Sequence, residues 1–106
     1  MTNYEAFRAF ESSITERDLD EAVERSNEAT EWMREHGNTI SYLGSDVFMN
    51  EDGEIAGTVC HYDAESEDVV REHSERADLP ITSVFIRGTA IPGVAPMAGV
   101  GKKATA

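Results

Sequence analysis

The sequence predicts an α+β domain of order β-α-β-β-α-β. Three observations carry that order: two stretches of helical apolar spacing, each opened by a hydroxyl N-cap; a turn of hairpin chemistry between two extended runs; and a further extended run at each end.

The first extended run, Tyr4 to Phe10, mixes aromatic, small and polar residues and predicts strand one. Thr15 then offers an N-cap, and Asp18 three residues on makes it close to a capping box. From Glu16 to His36 the residues Leu19, Ala22, Val23, Ser26, Thr30 and Met33 recur at helical spacing. Glu21, Glu24, Glu28, Glu31 and Glu35 take the other side, a solvated face on which weak binding of hard cations is no site. Gly37 supplies the left-handed residue that ends the helix.

Ile40 to Met49 predicts the second strand, with Gly44 and Asp46 marking a bulge or a solvent-facing patch. Asn50-Glu51-Asp52-Gly53 is hairpin chemistry, since glycine takes positive φ without strain. The returning strand, Ile55 to Tyr62, sends Thr58, Cys60 and Tyr62 to one face and Val59 and His61 to the other. Ser66 caps a second helix whose opening Glu67 and Asp68 suit the positive end of the helix dipole. Val69, Val70, His73 and Ala77 share its apolar face. Pro80 bars continuation, and Ile81 to Arg87 predicts the last strand.

This is the ferredoxin-like order: a four-stranded antiparallel sheet with both helices on one face. The domain spans residues 1–87; residues 88–106, rich in Gly, Ala and Pro and without periodicity, predict a C-terminal tail, mobile or laid along a partner. The sheet face left uncovered calls for a partner, and a second copy is the simplest one, so a homodimer is expected.

At 106 residues with 40% hydrophobic content the chain has material for one core. A net charge of −12, from 9 Lys+Arg against 21 Asp+Glu, argues against nucleic acid and anionic membrane, both of which reward clustered cations. The only lysines are Lys102 and Lys103. Abundant carboxylate with almost no lysine fits a halophilic surface, where salt screens self-repulsion, and fits an ordinary acidic cytoplasmic protein as well. Cys60 is the single cysteine, which excludes an intrachain disulfide and points to a reducing cytoplasm. The opening MTNYEAFRAF carries no signal-peptide pattern, and no apolar run approaches the roughly 20 residues of a membrane span.

Four side chains on the second half, Cys60, His61, Tyr62 and His73, can carry chemistry. Cys60 is either a small buried hydrophobe or a soft ligand. His73 is either a core histidine satisfied by a backbone or hydroxyl neighbour such as Tyr62, or a ligand beneath the second helix. If Cys60, Tyr62 and His73 converge there, thiolate, phenol and imidazole would suit nickel or another divalent transition metal, or Cys60 and His73 would form a nucleophilic pair. His61, on the other face, is a surface or interface histidine or a separate ligand. With Tyr42 and Phe48 it would line a small-molecule cavity on the open sheet face. No Gly-rich loop opens a helix and no nucleophile elbow is present, so no catalytic residue is assigned.

The run TVCHYDAESEDVVREHSERADLPITSVFIR resembles a family of short ferredoxin-like proteins, largely of unknown function, one branch of which binds nickel. Cys60, Tyr62 and Ala64, then Arg71-Glu72-His73, Ala77 and Leu79-Pro80 carry the likeness; the hairpin and Ser26-Asn27-Glu28 look similar as well. The resemblance implies the fold, a homodimer, nickel binding and no established reaction. His61 stands where an apolar residue is usual, and Asp78 where glycine is usual.

If the carboxylate surface is an adaptation to salt, the melting temperature rises between low salt and molar potassium chloride. An equal melting temperature in both identifies an ordinary acidic protein.

Overall fold

The chain opens as an extended ribbon because its first half-dozen alternations place Tyr4, Ala6 and Arg8 on one side and Glu5, Phe7 and Ala9 on the other. In the computed structural model, which describes residues 1–94, that ribbon is longer than the sequence suggests. The elements are β1 (Thr2–Ile14), α1 (Glu16–Glu35), β2 (Ile40–Met49), β3 (Ile55–Ala64), α2 (Glu67–Arg76) and β4 (Ser83–Ile86). β1 runs past Phe10 because it is a central strand: its register with β3 breaks after Ala9 and resumes at Ile14 opposite Ile55. β4 is shorter than Ile81–Arg87. Thr82 joins β1 outside the ladder, its N–H donating to the Phe7 carbonyl and its hydroxyl accepting from the Ala9 N–H.

The sheet order is β2-β3-β1-β4, and every neighbouring pair is antiparallel. This is the expected ferredoxin-like sheet. Both helices pack on the face that carries Tyr4, Ala6, Ile40, Cys60, Tyr62 and Ala64, which with Met33, Val69 and Val70 form the core.

Local chemistry sets each boundary. Thr15 and Asp18 close a full capping box, each side chain accepting from the other's backbone N–H at 3.1 Å. At the far end of α1, Gly37 takes φ +93°, its N–H donates to Arg34 and that of Asn38 to Met33, which is the Schellman pattern. Asn50 organises the hairpin: its side-chain oxygen accepts from the N–H groups of Asp52 and Glu54. The bulge expected near Gly44 is present, the β2 register jumping from Tyr42–Tyr62 to Gly44–His61. It reverses the alternation, so Tyr42, Ser45 and Val47 face the helices while Asp46 and Phe48 face outward. Two expected helix positions differ in detail: Val23 is exposed, and Ala29 takes a buried place instead. Asp78, between α2 and Pro80, adopts φ +55°, the left-handed conformation that glycine takes more readily.

Residues 88–94 carry no regular element, and Arg87 is tied to β1 by its N–H on the Asn3 carbonyl. The rest of the expected tail, 95–106, lies outside the described residues. No described helix is long and apolar enough to cross a membrane.

Gly57 lies in β3 between Ala9 of β1 and Phe48 of β2, and an added Cβ would fall well inside contact distance of the Arg8 carbonyl oxygen. Backbone cannot yield there as a flexible side chain would. Gly57→Ala is therefore expected to cost about 1–3 kcal/mol, read as a lower urea midpoint at unchanged slope.

Candidate functional site

Period two on β3 divides the candidate residues between the two faces of the sheet. Cys60 and Tyr62 point under the helices, and His61 points away from them. On the covered side the organising group is Arg8, a residue the sequence reading passed over. It is 1% exposed. One terminal nitrogen, Nη1, donates to the Ser74 hydroxyl at 2.9 Å and the Pro80 carbonyl at 2.8 Å, and Nη2 donates to the Tyr62 hydroxyl at 2.9 Å. The signal was in the sequence, since Arg8 falls on the same alternation as the inward Tyr4 and Ala6.

Tyr62 is wholly buried, and burial pushes its phenol well above the ordinary value, with Arg8 acting in the opposite sense. It stays a neutral phenol, its oxygen committed to Arg8. His73 is also wholly buried. Its Nε2–H donates to the Ser26 carbonyl at 3.0 Å and lies 3.0 Å from the Thr30 hydroxyl, while Nδ1 has no partner among the described residues. Burial lowers the His73 pKa, the Ser26 carbonyl raises it, and the Arg8 charge lowers it further, leaving it below the ordinary value. Tyr62 and His73 meet edge to face, with ring centroids 5.1 Å apart.

Cys60 turns to different neighbours. The Ser45 hydroxyl donates to its sulfur at 3.0 Å, and the Thr58 hydroxyl lies 3.6 Å away. Burial pushes the thiol up, but these hydroxyls and the Arg8 charge outweigh it, so the Cys60 pKa falls below its ordinary value. Neither ring nitrogen of His73 bonds the thiol, so no Cys–His pair is formed. Cys60, Tyr62 and His73 thus share a core, each with a heteroatom turned to a different partner.

On the open face, His61 sits at the centre of a different arrangement. Its Nδ1 is 2.8 Å from Glu5 Oε2 and its Nε2 is 3.0 Å from Asp46 Oδ2. Glu5 comes from β1 directly across the ladder, and Asp46 from β2 through the bulge. Hydrogen bonds to Glu5 and then Asp46 raise the His61 pKa against a smaller opposing effect of burial. The Asp46 side chain is 76% exposed and that of Glu5 22%, so one carboxylate is free to swing and the other is held. Among the described residues no three His, Cys, Asp or Glu side chains converge to hold a metal ion within one chain. The open-face cavity expected from Tyr42, Phe48 and His61 does not form as a set, because the bulge turns Tyr42 inward against Tyr62.

The family described as nickel responsive protein SCO4226-like matches residues 4–86, and the chain belongs to it. The crystal structure of SCO4226 from Streptomyces coelicolor A3(2) superposes with a TM-score of 0.64 at 11% identity, covering 84% of this chain and 99% of that one, which shows a shared fold. A de novo designed protein with a ferredoxin fold, LFR1 1, matches at a TM-score of 0.45 and 12% identity over 89% of this chain and 90% of that chain. No curated protein matches the sequence.

The buried neutral His73 sets a pH dependence. Its folded-state pKa is depressed, so its contribution to stability is full above the unfolded value of about 6.5 and is lost as pH falls from there through the folded value. His73→Gln is expected to be less stable than wild type at about pH 7, with the gap in urea midpoint narrowing toward about pH 5. His61 titrates in both proteins and cancels from the difference.

Proposed function

We propose that this member of the nickel responsive, SCO4226-like family is a small non-enzymatic protein that binds nickel or a similar divalent transition metal as a homodimer, through His61 on the open sheet face. The observation that carries the reading is the imidazole suspended between Glu5 and Asp46, at 2.8 and 3.0 Å, on the side of the sheet the helices leave bare. Imidazole nitrogen is a favoured donor for nickel, and a carboxylate on the second ring nitrogen fixes the tautomer and orientation of a metal-bound histidine. Glu5, the less exposed carboxylate, suits that orienting role at Nδ1. Nε2 lies on the side of the exposed Asp46, which can turn to donate beside it.

One chain brings a single imidazole and two carboxylates, so further donors would come from water or from a second copy. The open face offers that copy an apolar surface as well, with Phe7 and Phe48 in tilted contact at 5.6 Å and Phe85 exposed. The family resemblance, whose motif holds Cys60, Tyr62 and His73, supports the nickel relation, and the imidazole flanked by two carboxylates is what favours His61 as the ligand.

Calorimetric titration of tag-free protein with nickel chloride tests this. His61→Ala is expected to weaken binding by at least about tenfold, while His73→Ala and Cys60→Ser leave it within about twofold. Equal binding by wild type and His61→Ala would remove the site, and a monomer in sedimentation velocity at micromolar concentration would remove the dimer.

A further inference from the structure

Arg8 is a permanent charge with no carboxylate partner among the described residues. None of the 21 Asp and Glu side chains stands within ion-pair distance of it, and its three hydrogen-bond acceptors are two hydroxyls and a carbonyl. Its Nε–H has no partner among the described residues, and Nη2 is engaged only once. At least one of the five guanidinium hydrogens, that on Nε, is therefore left over among the described residues. A cation held this deep in a protein of charge −12, beside the Cys60 thiol but with no carboxylate in reach among the described residues, suits an anion brought from outside.

The space for one adjoins it. Between the sheet and α1 lies a cavity of about 210 Å3 whose lining includes Arg8. Buried Arg8, Thr58 and Cys60 mark its inner end, and exposed Val23, Ser45 and Val47 its mouth. Hydrocarbon from α1, β1 and β2 makes up most of the wall. The volume corresponds to roughly seven water molecules at ~30 Å3 each, enough for one small organic molecule. An apolar wall disfavours a hydrated inorganic anion, and the guanidinium disfavours a neutral hydrocarbon. A carboxylate matches the planar fork of Arg and leaves an apolar body for the wall.

We propose that this cavity binds a small organic carboxylate, its head paired with Arg8 at the inner end and its apolar body lying against the α1 and β2 side chains toward the mouth. The site is independent of His61, which lies on the opposite face of the sheet. It also departs from the sequence expectation, which placed a small-molecule cavity on the open face.

Sodium benzoate is the probe, with benzamide as its neutral isostere, titrated calorimetrically into the full chain. Benzoate is expected to bind once per chain and at least about tenfold more tightly than benzamide. Val23→Trp fills the mouth from an exposed helix position without touching Arg8, and is expected to weaken benzoate by at least about tenfold. Arg8→Met, where circular dichroism shows it folded, is expected to bring benzoate down to the level of benzamide. His61→Ala is expected to change nothing, so loss of nickel binding and loss of carboxylate binding are told apart. The proposal is overturned if benzoate gives no binding at millimolar concentration, if benzamide binds as well as benzoate, if Val23→Trp binds like wild type, or if His61→Ala abolishes benzoate binding.

Discussion

The guanidinium of Arg8 is the constraint around which this small core is arranged. Removing a cation from water costs several kcal/mol even after relaxation, and hydrogen bonds from a charged donor return about 1.5–3 kcal/mol each. Its three bonds reach β3 at Tyr62, α2 at Ser74 and the Pro80 carbonyl ahead of β4. A single side chain on β1 thus spans the central strands, one helix and the approach to the last strand. The backbone of the same residue governs Gly57 opposite, where no side chain fits. Tyr62 remains a protonated phenol because burial outweighs the pull of that charge, and His73 a neutral imidazole because burial and that charge act in the same sense.

The sheet works as a partition as much as a scaffold. Cys60, Tyr62 and His73 lie on one side with Arg8; His61, Glu5 and Asp46 lie on the other. Residues 60 to 62 are contiguous in sequence and chemically remote in space, because a strand turns each successive side chain over. The helices are likewise held to each other by long polar side chains. Arg25 donates to the Ala77 carbonyl at 2.8 Å, and Arg76 lies 3.5 Å from the centre of the Trp32 ring, which also stacks on His36. Arginine serves in these places because its stem packs as hydrocarbon while its head still reaches a carbonyl or a ring face.

The capping box at Thr15 and Asp18, the Gly37 stop and the Asn50 hairpin were legible in the sequence because each is written within five residues. So were the inward direction of His73 and the shared face of Cys60 and Tyr62, which follow from periodicity; which side of the sheet that face takes does not. The length of β1 was not legible, because it depends on β3 and β4 lying on either side of it. The inward turn of Tyr42 and the outward turn of Phe48 were not either: a bulge could be suspected at Gly44, but which residue it displaces is settled by the register with β3. The environment of His61 depends on partners 56 and 15 residues away, which no local pattern announces.

The family likeness therefore rests largely on core-forming residues. Cys60, Tyr62, Ala64, His73 and Ala77 are all buried, and Tyr62 and His73 flank the Arg8 network. A sequence signature of cysteine, tyrosine and histidine invites a ligand set, yet here a guanidinium, a hydroxyl or a carbonyl already engages each of those heteroatoms except His73 Nδ1. His61 departs from the family pattern and is half-buried on the open face, with both ring nitrogens within reach of a carboxylate. The residue that breaks the pattern sets its imidazole between two carboxylates on the open face, and the residues that keep it are buried in the fold.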